Sequence, residues 1–157
     1  MKNLVLCRWP MARQSRATKG EPFSIRLSKP TDQFVAEEAR RTKRSKSAIV
    51  EALTEEAARM RRFPGIGFRG PEGSRDAWVI GTALDVWEII EAYRDFGSLE
   101  RMLAETDLSE RQLRLALAYA AAYSDEIEQA LAENRRPLEE FRQLYPFVRI
   151  SEVGDEA

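Results

Sequence analysis

Residues 23–28 of this chain, FSIRLS, alternate strictly between apolar and polar side chains. A period of two is typical of a β-strand with one buried and one exposed face. A lone strand of this length cannot satisfy its backbone hydrogen bonds or bury its apolar face. The sequence therefore predicts that this strand pairs antiparallel with the same strand of a second copy, which forms a β-ribbon between two subunits.

Two helices are predicted after this strand. Pro30 ends strand pairing, and Thr31 or Asp32 is expected to cap a first helix that runs to about residue 41. Ser45 is expected to cap a second, amphipathic helix over about residues 46–62. About 40 residues are too few for a self-standing core, so two copies should share one. The predicted dimer core consists of Phe23, Ile25, Leu27, Val35, Ile49 and Leu53.

The polar side chains of this segment suit double-stranded DNA. A two-stranded ribbon fits the major groove, where Arg26 is able to form two hydrogen bonds with guanine. The predicted base-reading residues are Ser24, Arg26 and Ser28. The free N–H groups at the start of the second helix, together with the positive end of its dipole, favour a phosphate. The predicted phosphate-binding residues are Lys43, Arg44, Ser45, Lys46 and Ser47.

Charge divides the chain into two unequal halves. Residues 1–62 carry 15 Lys and Arg against 7 Asp and Glu, whereas residues 63–157 carry 10 against 19. The basic half attracts phosphate and the acidic half is repelled by it. This asymmetry indicates two modules with different partners, so the second module is expected to bind a protein.

The composition excludes several classes of function. One cysteine, Cys7, and no histidine exclude an intrachain disulfide, a Cys/His metal site and catalysis by imidazole. A single thiol suits a reducing cytoplasm, and no apolar run approaches the roughly 20 residues needed to cross a bilayer. We therefore predict a cytoplasmic protein that is not an enzyme, uses no cofactor and holds no metal. A G-x-G-x-x-G match at 65–70 lacks the strand–turn–helix context of a dinucleotide site.

The predicted fold is mainly α, in four segments. These are a flexible basic tail (1–21), a ribbon-helix-helix domain (22–62), a helical domain with an N-terminal hairpin (63–136), and a C-terminal helix and tail (137–157). Within the third segment we expect a strand at 77–80 and helices near 84–96, 98–105, 109–123 and 124–134. Ser98 is expected to cap the helix at 98–105, Ser109 with Gln112 forms a capping box, and Ser124 is expected to cap the next helix. The first three of these helices suggest a small helix-turn-helix-like unit.

Residues 24–28, 39–42 and 45–53 resemble the ribbon-helix-helix (CopG/Arc/MetJ-like) family of repressors and antitoxins. Lys43 stands where such proteins usually have the glycine that ends the first helix, which predicts a strained or rearranged turn. Pro22 occupies a position that carries a base-reading side chain in some relatives, which leaves Arg26 with more of that task.

The domain of unknown function number 433, found in VapB-like antitoxins, is resembled by residues 63–69, 77, 81–82, 85–88, 97–98, 108–109, 116–119 and 123–127. Together the resemblances imply an antitoxin of a type II toxin–antitoxin system, which binds its own operator DNA as a homodimer and neutralises a PIN-like ribonuclease toxin. An arginine flanked by aromatic anchors suits an acidic ribonuclease site. The candidate toxin-binding residues are Phe141, Arg142, Leu144, Tyr145, Phe147 and Arg149.

Three other functions are also compatible with the sequence. One is a stand-alone ribbon-helix-helix regulator whose C-terminal domain senses a ligand or a partner. Another is a structural dimerisation module without a role in DNA binding. The third, a second DNA-binding surface on the helix-turn-helix-like unit, is disfavoured by its negative charge.

Overall fold

The structure, a computed structural model, describes residues 21, 23–71 and 74–135. These residues form six helices and one two-stranded antiparallel sheet, so the predicted mainly-α fold is confirmed. The elements in chain order are α1 (Lys29–Thr42), α2 (Lys46–Arg62), β1 (Ile66–Arg69), β2 (Asp76–Val79), α3 (Val86–Phe96), α4 (Leu99–Glu105), α5 (Glu110–Ala122) and α6 (Ser124–Asn134).

Residues 23–28 precede α1 without belonging to any helix or strand of the single chain. Phe23 is 84% exposed and Ile25 is 59% exposed, so the apolar side of the alternating pattern has no cover within the described part of the subunit. A strand exists only when a second strand accepts and donates its backbone hydrogen bonds. The intersubunit ribbon therefore stays a prediction.

The cap of α1 corrects the sequence-based expectation. Ser28, rather than Thr31 or Asp32, is the N-cap residue, because its backbone is extended and its Oγ accepts a hydrogen bond from the Thr31 amide at 3.4 Å. Pro30 lies in the first turn of the helix. It is tolerated there since a first-turn amide has no acceptor within the helix.

The turn between α1 and α2 confirms the strain predicted at Lys43. Lys43 adopts a left-handed conformation, with φ 56° and ψ 31°, and its amide bonds to the carbonyl oxygen of Ala39. Among the described residues it is the one non-glycine with positive φ. Ser45 then caps α2 as predicted, because its Oγ accepts from the Ala48 amide at 3.1 Å.

Helices α1 and α2 bury little apolar surface between them. Val35 of α1 and Ile49 of α2, each 1% exposed, are the buried residues of these two contacting helices. Leu27 and Leu53 are half-buried. Of the six residues predicted for the dimer core, two are thus buried within the single chain, two are half-buried and two (Phe23 and Ile25) are exposed.

The second half contains the main hydrophobic core. The hairpin β1–β2, with Ile66 opposite Val79, covers one side of it, and α3 packs against α4, α5, α6 and β2. Its buried side chains come from all of these elements. They are Ile66, Ala77, Val79, Val86, Ile89, Ile90, Met102, Leu108, Leu113, Ala116, Tyr119, Ile127 and Leu131.

The helix starts in this half match the sequence with one exception. Ser98 caps α4, and the capping box of Ser109 with Gln112 opens α5, both as predicted. The expected cap at Ser124 is wrong, because Ser124 is the first residue of α6 and Tyr123 precedes it as the cap. The chain passes from α5 into α6 through this one residue, so no separate serine cap is formed.

We predict that Lys43→Gly raises the free energy of unfolding by about 0.5–1 kcal/mol, because glycine adopts positive φ without the steric cost that a Cβ imposes. Urea unfolding at a fixed protein concentration measures this change. Lys43→Ala is the matched control, since it removes the same charge but keeps the Cβ. An equal gain in Lys43→Ala would show that charge, rather than backbone strain, is responsible.

Candidate nucleic-acid interface

The predicted base-reading side chains differ in how far they are engaged. Ser24, Arg26 and Ser28 are all exposed. The Ser28 hydroxyl is held at the start of α1, 2.8 Å from Thr31 Oγ1, and serves as a helix cap. Within the described residues, Ser24 and Arg26 form no hydrogen bond or ion pair. These two side chains are therefore available to an external ligand, whereas Ser28 is partly occupied.

The start of α2 is built to receive an anion. The Ser45 hydroxyl satisfies the amide of Ala48, and the Ser45 carbonyl satisfies the amide of Ile49 at 3.1 Å. The amides of Lys46 and Ser47 come before these bonded amides and have no acceptor within the helix. Both residues are exposed. Two free N–H groups at the positive end of a helix dipole favour a phosphate oxygen.

The cations predicted beside this helix start have three different environments. Lys43 faces solvent, whereas Arg44 is half-buried and donates a hydrogen bond back to the carbonyl of Ala48 at 3.3 Å. The Lys46 Nζ lies 2.8 Å from Asp32 Oδ1 in the first turn of α1. A phosphate that binds at the start of α2 must therefore compete with Asp32 for the Lys46 ammonium.

The Lys46–Asp32 pair also brings the two predicted DNA contacts together. Asp32 lies one turn from Ser28, the last residue of the alternating segment, and Lys46 is the first residue of α2. The end of the predicted ribbon and the predicted phosphate site thus lie side by side. The sequence predicts Asp32 only as a candidate helix cap and does not predict its pairing with Lys46, because no local pattern signals a contact between residues 14 positions apart on different helices.

The acidic second half neutralises most of its own arginines. Of the seven arginines between residues 63 and 135, six form ion pairs, for example Arg94 with Glu128 and Arg69 with Asp85. The same stretch contains 14 acidic residues. Its surface therefore keeps a negative charge that disfavours contact with nucleic acid.

The junction between the halves contains an open cleft of about 250 Å³. Its lining is Arg44, Ala52, Glu55, Glu56, Arg59, Phe68, Arg75 and Glu126. Several of these charged groups already pair with each other across the cleft, as Arg59 does with Glu126 and Arg75 with Glu56. The cleft is therefore an interface between the two halves rather than a ready site for a small molecule.

The remaining candidate features fall only in part within the described residues. In the described ranges, no group of three potential ligands from His, Cys, Asp and Glu comes together around a common point. None of the described helices combines the length and apolarity needed to cross a bilayer. The six candidate toxin-binding residues lie between 141 and 149, and Cys7 lies in the first 20 residues, all outside the described part of the chain.

Comparison of the chain with models of protein families, with curated proteins and with solved structures gives no match. Function is therefore inferred from the geometry and charge of the chain and from the resemblances carried by its motifs.

Proposed function

We propose that this protein is a dimeric, operator-binding antitoxin, whose N-terminal half binds DNA and whose acidic half binds a ribonuclease toxin. The main support is the segment 23–28, in which the exposed Phe23 and Ile25 and the half-buried Leu27 alternate with exposed polar side chains directly before a helix. A segment with an uncovered apolar face and unpaired backbone groups requires a partner strand. The same segment of a second copy of the chain is the simplest such partner.

The driving force for this dimer is the burial of apolar side chains. Fully burying a phenylalanine or isoleucine side chain contributes about 1.5–3 kcal/mol. Phe23 and Ile25 are exposed in each subunit, so pairing in a twofold ribbon covers four such side chains. The buried side chains of Val35 and Ile49 then become part of a larger core that the two subunits share.

Once the ribbon forms, its two faces have opposite chemistry. The apolar side chains face the helices, and Ser24 and Arg26 face outward, because neighbouring side chains of a strand point to opposite sides. Base contacts of Arg26 then provide specificity, whereas the amides at the start of α2 and the Lys46 ammonium contact phosphates and set the register. The basic charge of residues 1–62 supports the same orientation on DNA.

The antitoxin role adds a protein partner for the acidic half. The negative surface of residues 63–135 is better suited to a protein than to DNA. The resemblance to domain 433 and to VapB-like antitoxins implies that this partner is a PIN-like ribonuclease. In this proposal the C-terminal segment that contains Arg142 and Arg149 contacts the acidic site of the toxin.

We expect Arg26→Ala to lose about 1–3 kcal/mol of discrimination between the operator and a scrambled duplex, because a two-bond contact to guanine is removed. Gel-shift titration against the DNA upstream of the protein's own reading frame measures both affinities. Arg40→Ala, which removes an equal charge from the exposed face of α1, is the control. If Arg26→Ala binds both duplexes with the same ratio as the wild type, Arg26 does not read bases.

Lys46→Ala is expected to weaken binding to all duplexes alike and to reduce the slope of log affinity against log salt by about 0.9 for each phosphate that is no longer neutralised. Asp32→Asn should do the opposite, since it releases Lys46 and removes a repelling carboxylate, with a gain of up to about 1 kcal/mol. Asp95→Asn, an exposed change on α3, serves as the charge control. Unchanged affinity in both site variants would place the phosphate contacts elsewhere.

Co-expression with the adjacent reading frame tests the antitoxin role. We expect a complex that survives purification and a ribonuclease activity that appears only when the partner is expressed alone. A chain that binds its upstream DNA but forms no complex with the neighbouring product would instead be a stand-alone regulator. Absence of DNA binding together with a stable dimer would leave only a dimerisation role.

A further inference from the structure

The last two turns of α2 carry a cluster of contacts with the second half that nothing in the predicted DNA-binding function requires. The Arg59 side chain is only 17% exposed although it projects from a surface helix. Its NH1 donates a hydrogen bond to the Tyr119 hydroxyl at 2.9 Å and pairs with Glu126, and its NH2 pairs with Glu55. Tyr119 lies on α5 and Glu126 on α6, so one guanidinium contacts two helices of the other half.

Stacking and hydrogen bonding reinforce this contact. The Arg59 guanidinium lies 4.1 Å from the centre of the Tyr123 ring, a favourable cation–π distance. The Tyr119 hydroxyl in turn donates to Glu126 at 2.9 Å. Burial lowers the pKa of Arg59, but the hydrogen bonds to Glu126 and Glu55 outweigh it and keep that pKa above its ordinary value. The guanidinium therefore stays charged.

A second ion pair lies nearby on α2. Glu56 pairs with Arg75 at 2.9 Å, and Arg75 also donates to the carbonyl of Phe68 at 2.7 Å. This pair connects α2 to the hairpin, whereas Arg59 connects it to α5 and α6. We call Glu56, Arg59, Arg75 and Glu126 the junction residues.

The covalent connection between the halves acts as a pivot. Only residues 63–65 separate α2 from β1. Phe63 packs edge-on against Tyr119 and Tyr123, with ring centres 5.4 and 6.0 Å apart. Gly65 has φ 110°, and a Cβ there would lie 2.8 Å from Leu115 Cδ2. Arg59 lies four residues before Phe63, about 6 Å along the helix axis at 1.5 Å per residue, so it resists rotation about this pivot.

We propose that the junction residues hold the second half in a single orientation on α2, so that the chain is one rigid body rather than two tethered domains. Displacement of Glu126 or Arg75 from α2 then frees the halves to turn about residues 63–65. A partner that contacts the exposed faces of α5 and α6 acts on the same rigid body that presents the start of α2.

Residual dipolar couplings of backbone amides in the weakly aligned full-length protein test this proposal. In the wild type, one alignment tensor should fit the amides of α1–α2 and those of α3–α6. In Arg59→Met/Glu56→Gln, which breaks both ion pairs, each half should still fit its own structure while the shared tensor is lost. Arg61→Met/Glu51→Gln is the control, because it makes the same changes at exposed positions of α2 and should keep one tensor.

A double variant that retains the shared tensor with both halves folded would overturn the proposal. Should the double variant lose the fold of its second half, Glu126→Arg decides instead. It sets a like charge against Arg59 from a half-buried position, and Asp125→Arg, exposed on the same helix turn, is its control. Loss of the shared tensor in Glu126→Arg alone supports the proposal, and one tensor in both overturns it. Because neither DNA nor toxin takes part, this result is independent of the proposed function.

Discussion

Helix α2 makes contacts in both halves of the molecule, and these contacts constrain how the two halves are placed relative to each other. Near its start, where Ile49 is buried, α2 contacts α1, and at its end Arg59 and Phe63 contact α5 and α6. Because α2 is held at both ends, the position of one half determines the position of the other. The location of the acidic half relative to the start of α2 is thus set by side-chain contacts as well as by the short connection through Gly65.

The two halves of the chain have opposite net charge, and α2 makes contacts in both of them. Three basic residues of the first half, Lys43, Arg44 and Lys46, lie at the start of α2, where free amides favour an anion. The acidic residues of the second half are partly neutralised by its own arginines, and Arg59 is the cation that the first half contributes across the junction. Asp32 is an acidic residue within the basic half. It lies beside Lys46, so any phosphate must compete with it for that ammonium. If the chain binds DNA as proposed, Asp32 lowers that affinity from within the site.

Local signals predicted local structure well. Ser45, the box of Ser109 with Gln112, and the strained turn at Lys43 all depend on a few neighbouring residues, and the structure confirms each. The two wrong caps have different causes, because several capping residues compete near the start of α1, whereas Tyr123 and not a competing capping residue precedes α6. Ser28 caps α1 because the helix begins earlier than the apolar pattern suggested, and Ser124 became helical because α5 runs almost directly into α6.

By itself the sequence determined the mainly-α class, the alternation at 23–28, the order of the helices and the division of charge, because each depends on the spacing of residues along the chain. Only the tertiary structure decided that Lys46 pairs with Asp32 and that Arg59 crosses to Glu126 and Tyr119. Those partners are 14, 67 and 60 residues apart. A long side chain has many oppositely charged candidates at such separations, and only packing of the helices selects one.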